Sequence, residues 1–188
     1  GLGLALGRMS RIPVLSQICL FFIEFFRTTP PLVQLFWFFF ALPILISAQM
    51  TPFVASVLTF SIQSSAFFAE IFRGGINSID KGQWEAAKAI GMTQNSSLRR
   101  IILPQAVKRM IPAFAERSIE LLKTTTLIST VSYADLMFQA NELASKTFRP
   151  LEVYTIVAVM YFFLILVFSQ LTILLEYRLA KSGEGTMR

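Results

Sequence analysis

The sequence contains no histidine and a single cysteine, Cys19, among 188 residues. A lone cysteine cannot close an internal disulfide, and this one sits in an apolar run, so it marks no redox site. With no imidazole and one thiol, a zinc site lacks its usual ligands, and no metal is expected. The pattern G-x-x-x-x-G-K-[ST] is absent, which removes the phosphate loop needed to bind and hydrolyse ATP. Charge is also scarce, at 15% of residues. No charged residue occurs from Thr28 to Ala69, and none from Val153 to Leu175. No paired-carboxylate, Ser/Lys or metal-spaced cluster stands out, so a membrane-embedded enzyme has nothing to work with.

What is present is hydrophobic: 54% of the chain, with a mean hydropathy of +0.61. Uncharged apolar stretches of ~18 residues or more argue for transmembrane helices. The net charge of +6 could suggest nucleic acid, but that reading needs a basic face on a soluble fold. Here the basic residues gather at the ends of hydrophobic runs, so no nucleic-acid partner is expected. The expected fold is all-α, a polytopic helical membrane protein forming one domain over residues 1–188. Four full spans are expected, at about Val14–Pro43, Pro52–Ile71, Ile111–Val131 and Glu152–Tyr177, with a hydrophilic tail after the last. Residues 1–12 read as the end of a first membrane helix, because Arg8 and Arg11 follow the apolar part, the reverse of a signal peptide. Pro30-Pro31 offers no backbone N–H and must kink the first span, with Thr28 and Thr29 back-bonding the freed carbonyls. A short helix around Ala134–Ala144 is expected in the Ser132–Pro150 loop.

The segment from residue 80 to 104 is polar between apolar runs. Asp80 is a candidate N-cap, with Gln83 three residues later in a capping-box pattern. Glu85, Ala86, Ala87, Lys88 and Ala89 are good helix formers, and Gly91 sits where a left-handed residue would end the helix. Trp84, Ala87 and Gly91 share one face, a large knob beside two small residues. Thr93 or Asn95 can cap a second short helix through Leu98 and Ile102, after which Pro104 bends the chain. If this segment is cytoplasmic, twelve basic residues fall on its side, including Arg8, Arg11, Arg178, Lys181 and Arg188, against Lys146 and Arg149 opposite. That bias orients the segment, and the C-terminus, to the inside.

The spacing Glu85-Ala86-Ala87, Gly91, Ile101, Leu103-Pro104 resembles the EAA motif of type I ABC importer permeases. Glu24–Pro30, Ala69–Ile76 and Lys123–Leu127 resemble the polar amino-acid branch of that family. The resemblance implies a permease subunit in the bacterial inner membrane, multi-pass, importing polar amino acids by alternating access. It implies an ABC ATPase dimer, a second permease subunit (identical or paralogous) and an extracytoplasmic solute-binding protein as partners, in a lipid bilayer. No cofactor is expected on this chain, with ATP and Mg held by the ATPase. In the family's terms Glu85 and Gly91 orient and terminate a coupling helix, Trp84 and Ile90 anchor it, and Ala86, Ala87, Leu103 and Pro104 complete the segment.

Charges inside spans are costly and usually face protein or water. Glu24 and Arg27, at i and i+3, are candidates for a structural ion pair. Glu116, Glu120 and Lys123 lie at i, i+4 and i+7 with Thr124 alongside, near the depth where transporters place substrate. With Thr125, Thr126 and Ser64 they form the candidate substrate set: carboxylate for ammonium, Lys123 for carboxylate, hydroxyls for either. The same charges could instead pair across a subunit interface or line a water path. A permease for another small solute, and a passive channel or scaffold with no ATPase, are the remaining alternatives.

Overall fold

The computed structural model describes the backbone of residues 1–181 and the side chains of residues 1–174. Arg188, counted above among the inward basic residues, lies outside them. Every regular element among the described residues is helical, as expected. Proline sets four of the helix starts. Pro13, Pro31, Pro52 and Pro150 are the first residues of α2 (Pro13–Thr28), α3 (Pro31–Phe36), α5 (Pro52–Asn77) and α10 (Pro150–Lys181). At that position the missing N–H costs nothing and φ is already helical.

Two other prolines follow wide turns. Pro43 is the second residue of α4 (Leu42–Ile46), just after a π-helical turn at Trp37–Ala41. Pro104 is the second residue of α8 (Leu103–Thr124), just after a π-helical turn at Leu98–Ile102. A proline in a helix clashes with the carbonyl four residues back and donates nothing to it. The wider turn takes up that mismatch without ending the helix. Helical backbone runs on through Pro104, from α7 (Gln94–Ser97) into α8.

The chain packs as two compact units, each described here alone. The first comprises Gly1–Glu24, Ser65–Arg117 and the chain from Thr172. In it α1 (Leu2–Arg8), α2 and α5 bury Ala5, Ile23 and Ala69 together. A second core joins Ile76, Ile79, Ile102, Ala106 and Met110. Gly75 is buried against Met110 so closely that a Cβ there would overlap its side chain. The second unit comprises Phe25–Ser64 and Ser118–Leu171. There α9 (Leu136–Thr147) packs Ala140 and Ala144 on Val153 and Val157 of α10. Asp135 caps α9, accepting from the Phe138 N–H at 2.8 Å.

Three expectations change. By length and hydropathy, Pro52–Asn77 and Pro150–Leu174 can cross a membrane, and Pro13–Thr28 with Pro31–Ile46 makes a third if that broken pair is one span. The expected span Ile111–Val131 is not among them: α8 carries Glu116, Arg117, Glu120 and Lys123, and its α-helix gives way to a 3₁₀ turn at Thr125–Val131. By length and composition, two or three such spans are found among the described residues, against the four expected. The first span is also not merely kinked, since its halves meet at 103°.

The carbonyls at that break are satisfied in an unforeseen way. Pro30 cannot donate to the Phe26 carbonyl, and the Gln34 side chain does so instead. Its Nε2 donates to Phe26 O and Thr29 O, both at 3.0 Å. The Thr29 hydroxyl bonds Phe25 O at 2.6 Å, a carbonyl that the Thr29 N–H already reaches at 3.1 Å, so contrary to expectation it replaces none of the bonds lost to Pro30-Pro31.

Candidate functional site

The segment from residue 80 to 104 folds from its own sequence signals. Asp80 caps α6 (Lys81–Ala89), its Oδ1 accepting from the Gly82 N–H at 2.9 Å. Gln83 does not complete the capping box but accepts from Gln105 Nε2 at 3.3 Å. At the other end Gly91 has φ +76°. Its N–H bonds Lys88 O and the Met92 N–H bonds Ala87 O, each at 3.0 Å. These paired bonds form a Schellman stop, which requires the left-handed residue that glycine supplies. Thr93 then caps the next turn, accepting from the Ser96 N–H at 3.4 Å.

The faces of α6 differ from the expected arrangement. Trp84 packs against the core of Ile76, Ile102 and Ala106, and Ala87 is buried. The large side chain therefore ties the helix to its own chain and is not an outward knob. Apolar bulk of that size gains more from a neighbouring core than from water. The exposed face carries Glu85, Ala86, Ala89 and Ile90, with Ile90 74% exposed. Leu103 and Pro104 are exposed at the head of α8. Arg109 Nη1 donates to Ser78 O, joining α8 to the end of α5.

The same unit holds a cluster of charges that sequence reading missed. Arg8 Nη1 and Arg73 Nε each lie 2.5 Å from Glu70 Oε1. Glu24 Oε1 lies 4.0 Å from Arg8. The signal was Glu70 and Arg73 at i, i+3 immediately after the uncharged run, but Arg8 could be found only in the fold.

The substrate candidates differ in exposure and in bonding. Glu116, Glu120 and Lys123 are exposed, whereas Arg117 is buried with its guanidinium 3.5 Å from the Phe67 ring centroid. Thr124, Thr125 and Thr126 donate their hydroxyl protons to the carbonyls of Glu120, Leu122 and Lys123. Their outward lone pairs can only accept. Ser64 is buried, and its Oγ has no hydrogen-bond partner among the described residues. Thr126 also lines a cavity of about 510 Å³ in the second unit, with Ser129, Thr130, Asn141, Tyr154 and Tyr161. Ser129 and Thr130 likewise donate to backbone carbonyls, and Tyr154 Oη donates to Asn141 Oδ1 at 3.0 Å. This wall is rich in acceptors and carries no charged side chain.

The sequence model of one family, the binding-protein-dependent transport system inner membrane component, matches residues 1–181. The chain belongs to that family. Among relatives of this permease, the probable amino-acid permease protein YxeN of Bacillus subtilis is 41% identical over 183 residues, covering 96% of this chain and 82% of that protein. The glutamine transport system permease protein GlnP of Escherichia coli K12 is 38% identical over 167 residues, covering 88% and 76%. A crystal structure of an amino acid ABC transporter with histidines matches at a TM-score of 0.89 and 40% identity, covering 94% of this chain and 82% of that one. An inward-facing MetNI methionine ABC transporter, 19% identical with a TM-score of 0.75, shares the fold.

Proposed function

We propose that this permease is the translocation subunit of an ATP-driven importer that carries polar amino acids into the cytoplasm. It works as a pair, with an identical or paralogous partner, on two ATPase subunits that hold ATP and Mg. A solute-binding protein delivers the ligand on the outer side, and the C-terminus is cytoplasmic. The chain itself carries no catalytic group, metal or cofactor.

The observation that carries this reading is the build of α6. Its outward face is exposed, suited to entering a cleft on another protein, while Ala87 is buried and Trp84 packs against the core of Ile76, Ile102 and Ala106, the last of these on α8. Force applied to α6 reaches α8, the helix that carries Glu116, Glu120 and Lys123. The substrate contacts Glu116, Glu120, Lys123, Thr124, Thr125, Thr126 and Ser64, its ammonium accepted by carboxylates and by threonine lone pairs. Alternating access then requires each state to bind the partners differently.

The test is to purify the chain with its partner subunits and measure ATPase activity with the loaded binding protein. Stimulation by one class of amino acid is expected. Stimulation by another solute alone would remove the amino-acid reading. Transport that persists with a bulky residue at Gly91 would favour a channel or scaffold.

A further inference from the structure

Three helices of the first unit meet where α5 runs toward α6, and each brings one buried apolar residue and one charge. From α1 come Ala5 and Arg8, from α2 Ile23 and Glu24, and from α5 Ala69 and Glu70. Arg8 Nη1 lies 2.5 Å from Glu70 Oε1 and 4.0 Å from Glu24 Oε1. The Arg8 and Glu70 side chains are only 20% and 18% exposed. Arg73, on the same helix as Glu70, donates to both of its oxygens, Nε to Oε1 at 2.5 Å and Nη2 to Oε2 at 3.0 Å. Beyond Glu70 the helix continues to Asn77, and Asp80 then caps α6. Phe72 packs both against Ala5, Ile23 and Ala69 and against the core that receives Trp84.

We propose that Glu70 is the positioning residue that makes α1 follow α6 during transport, with Arg8 as its contact on α1. This rests on the reading of α6 as the helix that receives force from the ATPase. Movement of α6 reaches α5 through Trp84 and the core of Ile76, Ile102 and Ala106, and Glu70 passes it to α1. The contact of Ala5 with Ile23 and Ala69 does not fix the register of α1, because apolar side chains attract without direction. A short charge-assisted pair does fix it. Removing one member of such a pair leaves the other charge partly buried and uncompensated. The part played by Arg73 is different. It bonds Glu70 from one turn away on the same helix, so it orients the carboxylate and joins no second helix.

The test reads amide exchange in α1, over residues 5–9, on the purified full chain in lipid nanodiscs. Trp84→Ala loosens α6 from its core and should speed that exchange about tenfold, the scale of coupling between linked sites. Gly91→Ala strains the end of α6 without touching any core and should act in the same direction by less. In a Glu70→Gln or Arg8→Gln background neither variant should add anything. Both effects should persist with Arg8→Lys, which keeps the charge, and with Arg73→Gln, which keeps the pair between helices. An α1 that ignores both α6 variants overturns the proposal. So does a response that survives Glu70→Gln, since Phe72 and the apolar contacts would then carry it. A response lost equally in Arg73→Gln reduces the cluster to general stability and overturns it too. In the assembled complex, Glu70→Gln should weaken stimulation of the ATPase by the loaded binding protein about tenfold, and undiminished stimulation overturns the proposal. A wild-type complex without any stimulation, beside an intact exchange response, would instead remove the transport reading and leave the link from α6 to α1 standing.

Discussion

Helix α6 and the broken helix at Pro30 both interrupt a longer run of helix, and they finish their loose ends in opposite ways. At α6 each end is closed within a few residues: Asp80 reaches Gly82, and Gly91 with Met92 reaches back to Lys88 and Ala87. At the break the Phe26 carbonyl is closed by a side chain eight residues on, Gln34, from the far limb. The first solution leaves a rigid stub with a clean outer face. The second leaves two limbs 103° apart and an open groove between their aromatic side chains. Local closure leaves a self-contained short helix, and closure across a gap leaves two limbs joined by one side chain.

The contrast can be tested by breaking each closure in turn. Gln34→Leu should have the largest effect, because two partly buried carbonyls lose their donor at about 1–3 kcal/mol each. A lowered thermal midpoint of the purified chain would show it, and an unchanged midpoint would mean that water closes the break equally well. Next comes Gly91→Ala, which places a Cβ at φ +76° for about 1–2 kcal/mol. No heavy atom lies within 4 Å of that Cβ, so the cost is backbone strain and not a clash. The expected readout is weaker stimulation of the partner ATPase with the rest of the fold intact.

Asp80→Ala should cost about 1 kcal/mol, the usual worth of an N-cap, seen as faster amide exchange confined to Lys81–Glu85. The smallest effect is expected from Thr29→Val, which removes one hydroxyl bond to Phe25 O worth about 0.5–1.5 kcal/mol. Gln34 still spans the break in that variant, so stability should fall by less than in Gln34→Leu. If the order reverses, the threonine and not the glutamine is the closure.

The sequence by itself settled what depends on near neighbours and on backbone sterics. Asp80 and Gly91 marked the ends of α6, Thr93 or Asn95 the start of the next helix, Pro30-Pro31 an interruption of the first span, and the uncharged runs two apolar helices. Each follows from a φ value, a missing N–H or a side chain reaching two or three residues. The tertiary structure decided the rest, because those outcomes depend on which groups arrive from elsewhere. Trp84 turned inward since a core formed by α5 and α8 was there to receive it, and Gln83 found Gln105 in place of its own cap. Arg8 joined Glu70 across 62 positions of chain, and Gln34 took over the hydrogen bond that Pro30 cannot make. A proline announces that a bond is missing; only the fold determines which donor supplies it.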